Sequence, residues 1–138
     1  MPKTPEIYVR KGSTTPPTLV EKLGIKPAQR ILLVGTFDTE FKEALTRAGA
    51  DVSARRRADN DVIFLRADTD GDLGQLWTLQ PHMKRDGAIW VIRPKGVKAI
   101  TEADVLNAGK ASGLVDVKVA RFSETHTAEK LVIPVARR

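Results

Sequence analysis

Three short stretches carry residue types that do chemistry. Asp68, Asp70 and Asp72 alternate through DTDGD and could offer oxygen ligands to a hard cation. They miss the spacing of a calcium loop, because Gly71 comes too early and Leu79 stands where a closing glutamate belongs. The same carboxylates suit the start of a helix, where they cap N–H groups and meet the positive end of its dipole, and no metal is expected. Ser123, Glu124 and His126 are the residue types of a hydrolytic triad, yet they are chain neighbours and no G-x-S-x-G elbow occurs. Both histidines, His82 and His126, fall in turns and are expected at the surface. The third stretch is the basic run Arg55, Arg56 and Arg57, which together with Lys95 and Lys98 of a later loop makes five candidate anion-binding residues. An arginine so placed can hold a dinucleotide 2′-phosphate, but the G-x-G-x-x-G fingerprint is absent.

The net charge of +6 favours anionic partners through long-range attraction. A nucleic-acid-binding module is one reading of that charge. Against it, the basic residues are scattered and aromatic residues make up only 5% of the chain, few for stacking bases. The absence of cysteine removes disulfides, thiolate metal sites and cysteine nucleophiles, and fits a reducing compartment. No window approaches the roughly 20 apolar residues of a membrane span, and the N-terminus lacks a signal-peptide core. The sequence thus predicts a cytoplasmic chain with no membrane partner.

The elements that must position these residues alternate in period. Residues 1–17, with Pro2, Pro5, Pro16 and Pro17, read as an irregular arm, and residues 18–138 as one domain. TLVEKLG is a short helix closed by Gly24, and ILLVG is a continuous apolar run, the mark of a strand buried on both faces. FKEALTRAGA follows at helical spacing, with Asp38 or Thr39 as N-cap and Gly49 past the end. DVSAR, DVIFLRA and GAIWVIRP supply further strands. Leu73, Leu76 and Trp77 mark one helix face between them, and Thr101 starts another helix. Trp77 and Trp90 are both expected in the core. LVDVKVARF and AEKLVIPV form a closing antiparallel hairpin. The result is an α/β fold, a three-layer, doubly wound and mostly parallel sheet.

Only about six residues, Arg55 to Asn60, join the second strand to the third, whereas a parallel crossover takes a dozen or more. An extended link of that length spans roughly 20 Å. Either the second strand is short and the link taut, or the pair is not parallel.

LGIKPAQRILLVG, GAIWVIRPKG and GLVDVKVARFSETHTAEKLVI resemble the entry strand, a later central strand and the terminal hairpin of the class I S-adenosylmethionine-dependent methyltransferase fold. The likeness covers roughly Thr18 to Val135. A closer resemblance is to a small bacterial family of unknown function, a shortened version of that fold. The resemblance implies a cofactor loop at Gly35, Thr36 and Asp38, with Asp68 as a further polar contact. It also implies several glycines after the first strand and an acid at the end of the second, to accept from the ribose hydroxyls. Here Gly35 is the one matching glycine, Phe37 is expected to fill loop space, and arginines stand in place of the acid; an arginine cannot accept.

The expected function is therefore a binding or interaction module on a methyltransferase-like fold, with no cofactor. Its partner is unspecified, and a homodimer is one arrangement it admits. The alternatives are a small methyltransferase using S-adenosylmethionine and a basic nucleic-acid-binding module.

Overall fold

The computed structural model describes residues 18–138. The expected arm, residues 1–17, lies outside the described residues. Among the described residues six strands form one sheet: β1 (Arg30–Val34), β2 (Asp51–Ser53), β3 (Asn60–Arg66), β4 (Met83–Pro94), β5 (Val115–Arg121) and β6 (His126–Val132). Their spatial order is β2-β1-β3-β4-β6-β5. The first four run parallel, and β6 lies antiparallel between β4 and β5. The hairpin thus places one strand inside the sheet and one at its edge.

Two apolar layers sandwich the sheet, and strand alternation sorts residues between them. Ile63, Leu65, Ile89 and Val91 face α3 (Gln75–Leu79) and α4 (Glu102–Ala111), meeting Leu73, Leu76, Leu79 and Val105. Val62, Phe64, Trp90 and Ile92 face α1 (Leu19–Lys22) and α2 (Thr39–Arg47), meeting Leu23, Phe41 and Leu45. Because both sides are covered, β1 and β3 need apolar residues at consecutive positions.

The helix ends follow the expected chemistry. Thr18 and Thr101 each form reciprocal capping boxes, with Glu21 and Asp104. Asp38, rather than Thr39, caps α2 by accepting from Phe41 N at 2.8 Å. The segment after β3 divides into a 3-10 turn, Asp70–Gly74, and α3. That break turns Leu73, Leu76 and Leu79 inward and leaves Trp77 68% exposed, while Trp90 is 1% exposed. The expectation that both tryptophans are core holds for Trp90 alone.

The short link is also explained. β2 is three residues long and pairs in parallel with Arg30–Leu32, so the chain descends only a short way before β3 begins. Arg57 pins the crossing: its guanidinium donates to the carbonyls of Ile31 and Asp51 and to Asp51 Oδ1. Asn60, fully buried, donates from Nδ2 to the carbonyls of Arg57 and His82. The second strand is short and parallel, and no crossover helix intervenes.

Candidate functional site

In doubly wound sheets ligands bind beyond the carboxyl ends of the strands, where the strand order reverses direction. Here that point lies between β1 and β3, since the chain leaves β1 for β2 on one side and returns to β3 on the other. A crevice of about 350 Å³ opens there, lined by Gly35, Thr36, Arg66, Asp68, Asp72 and Gln75 among others.

Arg66, the last residue of β3, dominates it. Its Nε donates to Asp68 Oδ1 at 3.0 Å, and its NH1 donates to the carbonyl of Thr36 at 3.3 Å. One side chain therefore ties the loop after β1 to the loop after β3. Gly35 adopts φ +101°, and a Cβ added there would sit 2.8 Å from Arg66 Cβ. The glycine is needed both for its left-handed backbone and for the packing of this arginine. Phe37 does not fill the crevice. It turns into the layer beneath α2, with ring centroids 5.5 Å from Phe41 and 6.3 Å from Phe64.

Asp72 caps the 3-10 turn, its Oδ2 accepting from Asp68 N at 2.9 Å and Thr69 N at 3.1 Å. The hydrogen bond from Asp68 N holds its carboxyl below the usual value, despite some burial. Of the alternating aspartates, Asp72 caps, while the Asp68 carboxylate pairs with Arg66. No group of three or more His, Asp or Glu side chains among the described residues is placed to hold a metal ion.

His126 departs from the surface position expected of it. It is half-buried, opens β6 opposite Pro94, and its Nδ1 shares a 2.8 Å hydrogen bond with Thr125 Oγ1 while Nε2 is buried without a partner. Burial lowers its pKa, the nearby Arg66 charge lowers it further, and Asp68 opposes both. The imidazole therefore stands within electrostatic reach of the crevice pair. A sequence signal existed: the first residue of a strand antiparallel to β4 must lie at the carboxyl end of the parallel strands. His126 does not activate Ser123: its Nδ1 is bonded to Thr125 Oγ1, and Ser123 Oγ accepts from the backbone N–H groups of Thr125 and His126.

Beside it runs a buried pair that the sequence reading missed. Arg93 Nε donates to Glu129 Oε1 at 2.6 Å and NH2 to Oε2 at 3.4 Å across β4 and β6. Glu129 is 1% exposed; burial pushes its carboxyl up and Arg93 pulls it back. The alternating pattern of β6 conceals this carboxylate on an inward face.

The remaining candidates separate. Gly35, Thr36 and Asp68 come together at Arg66, whereas Asp38 is spent on the α2 cap beside a different depression, with Phe41 and Phe122. Arg57 belongs to the scaffold. Arg55 and Arg56 are exposed beside β2, and Lys95 and Lys98 are exposed after β4. With β1 and β3 between these pairs, the two groups stand about three strand spacings, roughly 14 Å, apart.

Strand order, antiparallel hairpin and switch-point crevice define a class I methyltransferase-like Rossmann fold. Solved structures agree: a SAM-dependent methyltransferase from Aquifex aeolicus (TM-score 0.67, 14% identity, covering 83% of this chain and 88% of that one). A TehB-like SAM-dependent methyltransferase from Corynebacterium glutamicum matches with TM-score 0.62 and 12% identity over 83% and 85% of the two chains. The magnesium protoporphyrin IX methyltransferase of Synechocystis, solved with bound SAM, matches at TM-score 0.61 and 13% identity over 83% and 74%. At these identities the likeness is one of fold. The chain belongs to the DUF3052 family, proteins of unknown function, whose model matches residues 20–135. No curated protein matches the sequence.

Proposed function

We propose that this chain uses the methyltransferase fold as a binding or interaction module and does not employ S-adenosylmethionine. The observation that carries this reading is Arg66, whose side chain joins Asp68 to the Thr36 carbonyl across the mouth between β1 and β3. A cofactor there would need backbone bared by several glycines; Gly35 is the single one, and its open side is packed against Arg66. The end of β2 offers no carboxylate to a ribose. Ser53 Oγ is engaged with Arg55 N and Arg55 O, and the residues that follow are Ala54 and the arginines. The residues present do not fit the cofactor.

Isothermal titration of the purified protein with S-adenosylmethionine tests this. The expected result is no heat of binding at about 1 mM ligand, a threshold equivalent to roughly 4 kcal/mol of affinity. Saturable binding in the micromolar range would overturn it. It would favour the second reading, a small methyltransferase served by the 350 Å³ crevice, with Gly35, Thr36 and Asp68 as polar contacts. That reading further requires transfer of a labelled methyl group to an acceptor.

A further inference from the structure

The crevice is not the surface that most needs explaining. Trp77 is 68% exposed on the outer side of α3, although the neighbouring Leu73, Leu76 and Leu79 are all buried. It forms one wall of a shallow, mainly apolar groove of about 240 Å³, floored by Gly74, Ala108, Ala111 and Ser112 and reached at one end by Asp70. At the far end of the same segment, Arg56 NH1 donates to Thr78 Oγ1 at 3.3 Å, which brings a positive charge to the residue after Trp77. Between the two charges the backbone is bare: a Cβ on Gly74 would meet nothing within 4 Å, and one on Gly71 only Thr69 Oγ1 at 3.7 Å.

These features are self-complementary. A large apolar side chain stands next to a groove of small residues, and charges of opposite sign flank both. In a two-fold contact each patch meets its own copy, residue i touching j and j touching i. With the axis near Gly74, Trp77 enters the opposing groove and Asp70 meets Arg56 of the partner subunit. The two glycines let the segments approach closely. We propose that this face binds a second copy of the chain, forming a two-fold dimer anchored by Trp77 and oriented by Asp70 and Arg56. Exposed tryptophan and arginine are the residue types that anchor protein interfaces. A patch this small gives weak association, at the low end of interface sizes. The inference names a partner for the interaction-module reading but rests on a different surface, so cofactor binding at the crevice would leave it standing.

Gly74 supplies the sharpest test. Its φ of −59° is helical and the space above it is open, so Gly74→Arg is compatible with the folded chain while placing a long side chain on the proposed axis. Sedimentation equilibrium across about 5 to 500 µM, the range suited to weak contacts, should reveal a reversible monomer–dimer equilibrium. Gly74→Arg and Trp77→Ala should each raise the dissociation constant at least about tenfold, the equivalent of roughly 1.4 kcal/mol. Asp70→Arg should weaken the dimer, and the exchange Asp70→Arg with Arg56→Asp should restore it. A monomer throughout that range, or a dimer indifferent to Gly74→Arg and Trp77→Ala, would overturn the proposal. So would quenching of Trp77 emission by single-stranded oligo(dT) at low salt without self-association, which would assign the face to nucleic acid; buried Trp90 makes Trp77 the responsive fluorophore.

Discussion

The two ends of the sheet are built on different principles. At the amino end, Asn60, Arg57, Asp61 and Gly87 form a dense polar knot. Asp61 accepts from Arg30 N and from Lys84 Nζ; although burial raises its pKa, these partners hold it below its ordinary value. Gly87, in a bulge of β4, lies so close to the carbonyls of Asp61, Asn60 and Lys84 that a Cβ would approach them to 2.9, 3.0 and 3.1 Å. At the carboxyl end the link across the crevice lies in the open, with the Arg66 and Asp68 side chains 32% and 56% exposed, while the Arg93–Glu129 pair close by is buried. At the amino end side chains tie down backbone N–H and carbonyl groups of several strands, and at the mouth of the crevice one arginine does so alone. Substitutions should therefore be punished at the end where doubly wound sheets seldom bind ligands, and tolerated at the end where they do.

The largest effect belongs to Gly87→Ala. Three backbone carbonyls cannot withdraw, and unfolding by urea should report a loss of about 3 kcal/mol, the upper range of overpacking costs. Asn60→Ala leaves the part-buried carbonyls of Arg57 and His82 without their donor and should cost about 2 kcal/mol in the same assay. Gly35→Ala is the carboxyl end's exception, since φ +101° strains any side chain; about 2 kcal/mol is expected. The 2.8 Å neighbour is Arg66 Cβ, which alanine keeps, so Arg66→Ala should recover none of this loss; Arg66→Gly removes the atom, and a double-mutant cycle with it separates strain from clash. Arg66→Ala alone should cost no more than about 1 kcal/mol, as a half-exposed ion pair does. A larger loss would erase the contrast between the ends.

The smallest effect is a pH dependence. His126 has its pKa depressed by burial and by Arg66, so the unfolded chain takes up the proton first. Stability is then full above the ordinary imidazole value of about 6.5 and declines as pH falls through it. His126→Gln should reduce the fall in melting temperature between about pH 7.5 and 5.5; an unchanged fall would show that the imidazole is not desolvated as described.

Much of the fold was legible because strand burial writes itself as runs: ILLV and IWVI announce a sheet covered on both sides. The capping boxes at Thr18 and Thr101 were equally readable, being local. The link arithmetic between β2 and β3 left two options, and only pairing with Arg30–Leu32 decided for a short parallel strand. The site was less legible. Arg66 ends an apolar run like any strand-terminal residue, and its reach to Thr36 depends on strands 30 residues apart becoming neighbours. Trp77 deceived for a different reason: Leu73, Leu76 and Leu79 already fill the inward face, and the 3-10 break rotates Trp77 away from it.

The position of β6 bears on how the chain is made. Among the described residues Val115–Arg121 pairs only with β6, and β6 in turn pairs with β4. During synthesis β5 thus emerges before the strand it pairs with and joins the sheet once His126–Val132 slots between it and β4, its Val117 and Val119 remaining 55% and 53% exposed. The sheet completes from the inside, and the later strand of the hairpin is the one that joins its two parts.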